Sequence, residues 1–188
     1  FNYAMTSTAT GGFGTESGSI ATFHSPAEEY VCTIFCFLSG VNFTLLYTSV
    51  TGFKFKQLFR NSEFKFYTTM IAAFTVFIML ELIFQCNYEV EHAFRSSVFQ
   101  VVSFITTTGL YSDDAAKWPH VTWVVLAACM FFGGSSGSTS GGIKSIRGVM
   151  LLKVVKNEFR QILHPNAVLP MKIDGYNVQM SKRVTLLG

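Results

Sequence analysis

The stretch Ile105-Thr106-Thr107-Thr108-Gly109-Leu110-Tyr111 is a short polar loop between two apolar segments. Residues 92–104 before it read as a short helix, and the residues after 117 are too apolar for a water-soluble surface. At membrane depth, non-helical backbone survives only where it is buried in protein or lines a wet cavity. The carbonyl oxygens of such a loop can replace the hydration shell of a cation, as they do in a selectivity filter.

A second stretch, Met5-Thr6-Ser7-Thr8-Ala9-Thr10-Gly11-Gly12-Phe13-Gly14-Thr15-Glu16, lies 97 residues earlier and follows the same plan. The pairs matched at that offset are Thr10 with Thr107, Gly11 with Thr108, Gly12 with Gly109 and Phe13 with Leu110. A proline, an apolar stretch, a glycine-containing break and a basic segment follow each copy. Two copies of helix, polar loop and helix indicate an internal repeat; the alternative is two unrelated Ser/Thr/Gly loops.

The composition favours a membrane protein. Of the 188 residues 49% are hydrophobic and only 13% are charged, about half the charged share of soluble domains. The apolar segments are interrupted: residues 30–50 contain Ser39, Gly40 and Asn42, and residues 121–132 run into glycines. Broken helices are typical of proteins that handle ions inside the membrane.

The charges are separated along the chain. Residues 1–30 and 86–120 carry seven acids against two bases, whereas residues 143–188 carry eight bases against two acids. The positive-inside rule then places both threonine loops near the outer face and the basic segments in the cytoplasm. Acids at an outer mouth would concentrate cations; equally, they would simply solvate the exterior loops.

Local signals outline the helices. Ser25-Pro26-Ala27-Glu28 predicts a helix start, and we expect this helix to run over residues 26–47. Further helices are predicted over 63–85, 119–132 and 143–163, the last ended by His164-Pro165. Asp174-Gly175 predicts a hairpin turn within residues 168–180. Phe1-Asn2-Tyr3-Ala4-Met5 resembles the end of a pore helix whose start is missing, so we expect the chain to begin inside that element.

Ten consecutive Gly, Ser or Thr residues interrupt the last span. They are Gly133, Gly134, Ser135, Ser136, Gly137, Ser138, Thr139, Ser140, Gly141 and Gly142. A flexible loop below a filter would serve as a gate, because glycine changes backbone conformation at little steric cost. Lys144 and Arg147, just beyond it, would hold a closed state or repel cations. The alternative is a break that only lets helices approach closely.

No enzyme is predicted. Walker A requires GxxxxGK[ST], but Ile143 separates Gly142 from Lys144-Ser145, and the preceding segment is helical in our interpretation. The four histidines are scattered, and the four cysteines show no metal-ligand spacing.

The stretch FFGGSSGSTSGGIKSIR, with HPNAV at 164–168, TTTG at 106–109, TGGF at 10–13 and RNSEF at 60–64, resembles the TrkH/TrkG branch of the Trk/Ktr/HKT potassium transporters. The resemblance implies an all-α integral membrane fold with helix–pore-loop–helix repeats and a small cytoplasmic hairpin. Residues 1–60 would hold the second of four pore repeats, residues 61–163 the third, and residues 164–188 a cytoplasmic link. Localisation in the cell inner membrane, with several passes, is implied.

The same resemblance implies the site. K⁺, with Na⁺ as the alternative ion, would bind backbone carbonyls of Thr10, Gly11, Gly12 and Phe13 and of Thr107, Thr108, Gly109 and Leu110. Residues 133–142 would be the intramembrane gating loop. The implied partners are membrane lipid, a second copy in a homodimer and a TrkA-like cytoplasmic nucleotide-binding regulator. The function predicted is potassium uptake; the alternative is a non-conducting membrane scaffold or interaction module of the same ancestry.

Overall fold

The computed structural model describes residues 1–15, 18–23, 25–53, 55–113, 117–163, 172–173 and 176–177. Within these ranges the chain forms eight α-helices, one 3₁₀ helix and one hairpin. The α-helices are α1 (Asn2–Ala9), α2 (Pro26–Ser39), α3 (Phe43–Thr51), α4 (Phe55–Arg60), α5 (Ser62–Cys86), α6 (Val90–Ile105), α7 (His120–Phe131) and α8 (Ser145–Leu163). The 3₁₀ helix is Ser19–Phe23, and strands β1 (Lys172–Ile173) and β2 (Tyr176–Asn177) pair antiparallel. The predicted helical fold with a small hairpin is confirmed.

The lengths of the apolar helices match the interrupted spans expected from the sequence. Among the described residues, α5 is long and apolar enough to cross a membrane by itself. Its start is capped by Asn61, whose side-chain oxygen accepts from the N–H groups of Glu63 and Phe64 at 2.9 and 3.0 Å. The observed helix, Ser62–Cys86, agrees with the predicted range 63–85 to within one residue at each end. The apolar helix α7 is shorter than a span and stops at the glycine-rich segment.

The prediction of one helix over residues 26–47 is wrong. The structure has α2 and α3 instead, bent by 102° at the break between them. Asn42 caps α3 by accepting from Thr44 N–H at 3.0 Å and Leu45 N–H at 3.2 Å. The Gly40 carbonyl accepts from the N–H of Ser135 at 2.8 Å. The break is thus stabilised by a local cap and by a distant segment, and only the cap could be read from the sequence.

The start of α2 follows the prediction in part. Pro26 opens the helix as expected, and Ser25 is the N-cap residue. Its side chain makes no capping hydrogen bond, so the serine marks the helix start by position alone. The predicted helix end at His164-Pro165 lies outside the described residues, as does the Asp174-Gly175 turn of the hairpin.

Helix α6 lies at the centre of the fold. It packs against α5, α2 and α7, and its residues Val101, Val102 and Ile105 are fully buried. Ile78 and Leu82 of α5 belong to the same core. Because α6 is enclosed on these sides, packing fixes the position of the helix from which the loop at residues 106–111 leaves.

Candidate functional site

The first threonine loop begins where α1 ends. Thr10 follows the helix with a left-handed backbone, φ 52°, and its N–H donates to the Thr6 carbonyl. The N–H of Gly11 also donates to that carbonyl, at 2.9 Å, and Gly12 follows with φ +73°. The bond from Gly11 to Thr6 is the longer of the two that close a Schellman ending, and threonine stands in the left-handed position that glycine usually occupies. This ending turns the chain sharply out of the helix axis.

The second threonine loop has left-handed residues at the equivalent positions. Thr107 has φ 54° and Gly109 has φ 79°. The N–H of Thr108 donates to the Ser103 carbonyl at 2.8 Å, the same step along the chain as from Gly11 to Thr6. One offset of 97 residues therefore relates the left-handed threonine, the helix-closing bond and the glycine of the two copies.

The two loops differ in their surroundings. Phe13 N–H donates to Thr6 Oγ1 at 2.9 Å, while at the equivalent positions Ser103 Oγ donates to the Leu110 carbonyl at 2.6 Å. Leu110 is buried in a small cluster with Ile20 and Phe99. Phe13 is 79% exposed. The copies thus share a backbone path but not the same neighbours.

Gly12 and Thr108 bring the two loops into backbone contact. A Cβ atom on Gly12 would lie 2.2 Å from the Thr108 carbonyl oxygen, so glycine is required there by space as well as by φ. A Cβ atom on Gly109 would meet no atom of the described residues within 4 Å. The contact therefore joins different positions of two similar units, which is a head-to-tail arrangement.

The glycine-rich segment 133–142 forms a loop whose two ends are paired. Gly133 N–H donates to Ile143 O at 2.9 Å, and Ile143 N–H donates to Phe131 O at 3.0 Å. A Cβ atom on Gly133 would lie 2.0 Å from the Gly141 carbonyl oxygen. Because its two ends are hydrogen-bonded to each other, the segment forms a compact loop between α7 and α8. The sequence predicts the interruption at this position.

The tip of this loop contacts both threonine loops. Thr10 Oγ1 donates to the Thr139 carbonyl at 3.1 Å. On the other side, Gly141 N–H donates to Thr107 Oγ1 at 2.7 Å. Thr139 N–H also reaches the Ser39 carbonyl in the α2–α3 break, at 3.3 Å. The loop therefore joins the two copies of the repeat through their equivalent threonines.

Two charged side chains attach the loop to its surroundings. The Lys144 ammonium donates to the carbonyls of Ser138, at 3.5 Å, and Ser140. On the far side Glu63, at the start of α5 and 5% exposed, accepts from Ser136 N–H and, at 3.1 Å, from Ser136 Oγ. Lys144 thus contacts the loop as the gating hypothesis expects. Arg147 follows one turn later, with its N–H donating to the Lys144 carbonyl at 2.8 Å, and it occupies an exposed position of α8.

Several acids near the threonine loops contact other side chains. Asp113 Oδ2 accepts from Tyr88 Oη at 3.2 Å and Trp118 Nε1 at 3.3 Å, and burial together with the Asp113 carboxylate raises the pKa of Tyr88. Arg95 Nε lies 2.8 Å from Glu29 Oε2, an ion pair without hydrogen-bond alignment. Arg95 also binds Glu91. These carboxylates hold helices and loops together in addition to any effect on passing ions.

Sequence reasoning missed two parts of this arrangement. It did not identify Glu63 as the anchor of the loop, because an acid in the first turn of a helix is equally explained by the helix dipole. It did not place Gly40 beside the loop either. The sequence signal at this position is the Gly40–Asn42 interruption, which indicates a broken helix but does not identify the segment that packs against it.

Comparisons with known proteins agree with one another. Residues 1–185 match the family model described as TrkH, a cation transport protein. The chain is 33% identical over 176 residues to the Trk system potassium uptake protein TrkH of Halomonas elongata, covering 94% of this chain and 36% of that protein. It is 35% identical over 173 residues to the Trk system potassium uptake protein TrkG of Escherichia coli, covering 92% of this chain and 36% of that protein.

A solved structure resembles the whole described fold. The crystal structure of the potassium transporter TrkH from Vibrio parahaemolyticus superposes with a TM-score of 0.89 at 30% sequence identity. The match covers 97% of this chain and 39% of that one. The chain thus spans little more than a third of the length of the relatives it matches.

Proposed function

The chain belongs to the TrkH family of cation transport proteins, a family of transporters rather than enzymes, and from that premise we propose that it supplies two neighbouring quarters of a K⁺-conducting pore. The first quarter is the repeat in residues 1–60 and the second the repeat in residues 61–163, with residues 164–188 as a cytoplasmic link. Each repeat contributes one strand of the selectivity filter. The prediction of a non-enzymatic transporter agrees with the family.

The equivalence of the two threonine loops carries this proposal. Residues 10–13 and 107–110 leave their helices by the same left-handed turn, and their glycines have φ +73° and +79°. Equivalent turns of this kind would present the carbonyls of residues 10–13 and 107–110 in the same way, which is what a symmetric ring of oxygen ligands requires. K⁺ is the proposed ion, because such rings of backbone carbonyls replace its hydration shell. Na⁺ is the competing ion.

The head-to-tail contact supports a ring of more than two units. The Thr108 carbonyl of the second copy occupies the space where a side chain on Gly12 of the first copy would lie. At the equivalent Gly109 that space is open among the described residues. A contact between two different surfaces can recur between each repeat and the next. The repeats then form a closed ring when the rotation that relates neighbours completes a full turn. Gly109 would therefore receive the next repeat, and the exposed Phe13 would pack against the preceding one, as Leu110 packs on Ile20.

The two short helices favour a cation at the filter. Helices α1 and α6 both end at a threonine loop, so the negative ends of their dipoles point toward it. This field acts on any cation held by the loop carbonyls without placing a fixed charge beside it. The selectivity then rests on backbone geometry, which is set by the left-handed threonines and the two glycines.

Residues 133–142 are proposed to be the gate. The loop lies against both filter strands through Thr139 and Gly141, and the Lys144 ammonium is bonded to its carbonyls. A polar loop and a tethered cation in this position would block the passage of K⁺. Opening then requires the loop to leave the two threonines and Lys144 to release Ser138 and Ser140.

The location, orientation and partners of the protein are proposed from the placement of its charges. We place the protein in the cell inner membrane as a multi-pass protein, with the basic residues of α4 and α8 in the cytoplasm. A homodimer and a TrkA-like nucleotide-binding regulator on this basic face are the proposed partners. The relatives carry the words "Trk system" in their names, which supports a protein that acts with other components.

The test is ion flux through the complete protein in liposomes, with and without its cytoplasmic partner. K⁺ flux that exceeds Na⁺ flux is the expected result. Deletion of Ser136–Ser140 provides the gate test in the same assay, because it removes the tip while leaving the paired ends of the loop. If folded wild-type protein shows no flux under both conditions, the pore proposal is wrong and the non-conducting membrane scaffold is the better account.

A further inference from the structure

Thr10 and Thr107 occupy a backbone conformation that does not suit them. Both have φ above +50°, and for a β-branched residue a left-handed backbone is an outlier. Glycine, at C′ of most such helix endings, would adopt it without strain. Strained residues persist where surrounding contacts over-determine them, and they cluster at switches and binding sites. The threonine side chains are therefore expected to have contacts that glycine would not supply.

The structure shows those contacts. Thr10 Oγ1 lies 3.1 Å from the Thr139 carbonyl, and it also lies 2.8 Å from the carbonyl of Ala9, so its one proton is shared. Thr107 Oγ1 accepts from Gly141 N–H at 2.7 Å. The hydroxyl of each left-handed threonine thus bonds to the backbone of the glycine-rich loop. One acts as donor and the other as acceptor, at positions two residues apart on the loop.

These two bonds link the filter backbone to the loop. A loop that moves away from the filter must give up both hydroxyl contacts together, because Thr139 and Gly141 flank the Ser140 carbonyl that Lys144 binds. Each strained threonine then loses the partner that holds its side chain. The filter carbonyls of residues 10 and 107 belong to those same residues, so their positions would change with the loop.

We propose that Thr10 and Thr107 are positioning residues through which the glycine-rich loop sets the geometry of the ion filter. Ion selectivity is then coupled to the gate: the filter discriminates K⁺ from Na⁺ best while the loop is bonded to both hydroxyls. This inference rests on the proposed function, since it assigns regulation to the same site. It adds that opening the gate alters the filter.

The experiment compares Thr107→Val with Thr107→Ser in the complete protein, purified in its resting, closed state. Valine keeps the shape and removes the acceptor, whereas serine retains the hydroxyl. Because one neutral hydrogen bond is at stake, we expect Thr107→Val to lower the ratio of K⁺ to Na⁺ binding affinity, measured by calorimetric titration of each ion, about two- to tenfold. Thr107→Ser should restore most of the ratio. Thr68→Val is the control, since the Thr68 hydroxyl donates to the Phe64 carbonyl of its own helix.

The same substitution in protein without the loop tip tests the coupling between loop and filter itself. In protein lacking Ser136–Ser140 the ratio should already be low, and Thr107→Val should change it little further. Full additivity of the two changes, or an unaltered ratio in Thr107→Val, would overturn the inference while leaving the proposed K⁺ pore intact. Absence of K⁺-preferring flux in wild type would overturn both. If Thr107→Val fails to fold, Thr10→Val carries the same comparison in the other copy of the repeat.

Discussion

Gly12 touches the carbonyl oxygen of Thr108, so closely that a Cβ atom on Gly12 would lie 2.2 Å from it. The two residues belong to different copies of the same repeat and hold non-equivalent positions in it. This relationship fixes how the two threonine loops meet, and it makes their two glycines unequal. Gly12 is constrained by a neighbour and by φ, whereas Gly109 is constrained within the described residues by φ alone.

Substitution of the two glycines should therefore have different consequences. Gly109→Ser places a side chain in open space but forces an unfavourable left-handed backbone, at about 1–2 kcal/mol. We expect folded protein with a reduced K⁺/Na⁺ permeability ratio, measured in liposomes. Gly12→Ala adds a collision with the Thr108 carbonyl and should lower thermal stability in detergent more than Gly109→Ser does. Equal effects of the two changes on stability would contradict the assigned contact.

Lys144 is expected to stabilise the closed loop. Lys144→Met removes the ammonium bonded to Ser138 and Ser140 while keeping the length of the side chain. A hydrogen bond from a charged group contributes about 1.5–3 kcal/mol, so K⁺ flux should rise by about tenfold or more. Lys156→Met, at an exposed position of the same helix, is the matched control. A lower flux from folded Lys144→Met protein would instead assign the ammonium a role in conduction.

Glu63 and Ser136 should be energetically coupled. Glu63 accepts from both the backbone N–H and the hydroxyl of Ser136, and it is almost fully buried. Glu63→Ala should lower the melting temperature more than Ser136→Ala, because it leaves two donors unpaired and the serine change removes one. Since Glu63 has further interactions, the double mutant is needed to isolate this pair. Exact additivity of the two single changes would show that the contact contributes nothing.

The break between α2 and α3 should depend on its cap. Asn42→Ala removes the acceptor for Thr44 and Leu45 N–H and is expected to cost about 1 kcal/mol. Asn42→Asp retains a side-chain oxygen there and should restore most of that loss. Thermal unfolding in detergent measures both variants. If Asn42→Ala is neutral, the bend is held by the Gly40–Ser135 contact rather than by the helix start.

The parts of the fold that follow from local chemistry were predictable. The pattern of apolar segments located α5, α6 and α7 to within about two residues, and the Gly/Ser/Thr run located the loop between α7 and α8. The internal repeat was visible because Thr10, Gly12, Thr107 and Gly109 stand at one constant offset. These signals are local, so no knowledge of tertiary contacts was needed to find them.

The remaining parts depend on contacts between distant residues. The 102° bend after Ser39 is stabilised by the Gly40–Ser135 hydrogen bond, and no window of sequence around residue 40 contains Ser135. The left-handed backbone of Thr10 and Thr107 could not be expected from threonine, whose propensity opposes it. Glu63 lies 73 residues before Ser136, so its hydrogen bonds to the loop could not be read from either stretch of sequence.

Ion occupancy tests the central claim most directly. Crystals of the complete protein soaked in Rb⁺, which replaces K⁺ and scatters anomalously, should show a peak bounded by the carbonyls of residues 10–13 and 107–110. The peak should weaken when Na⁺ replaces Rb⁺, and it should weaken in Gly109→Ser protein. Rb⁺ bound only elsewhere in a crystal of conducting protein would contradict the assignment of these two loops as the filter.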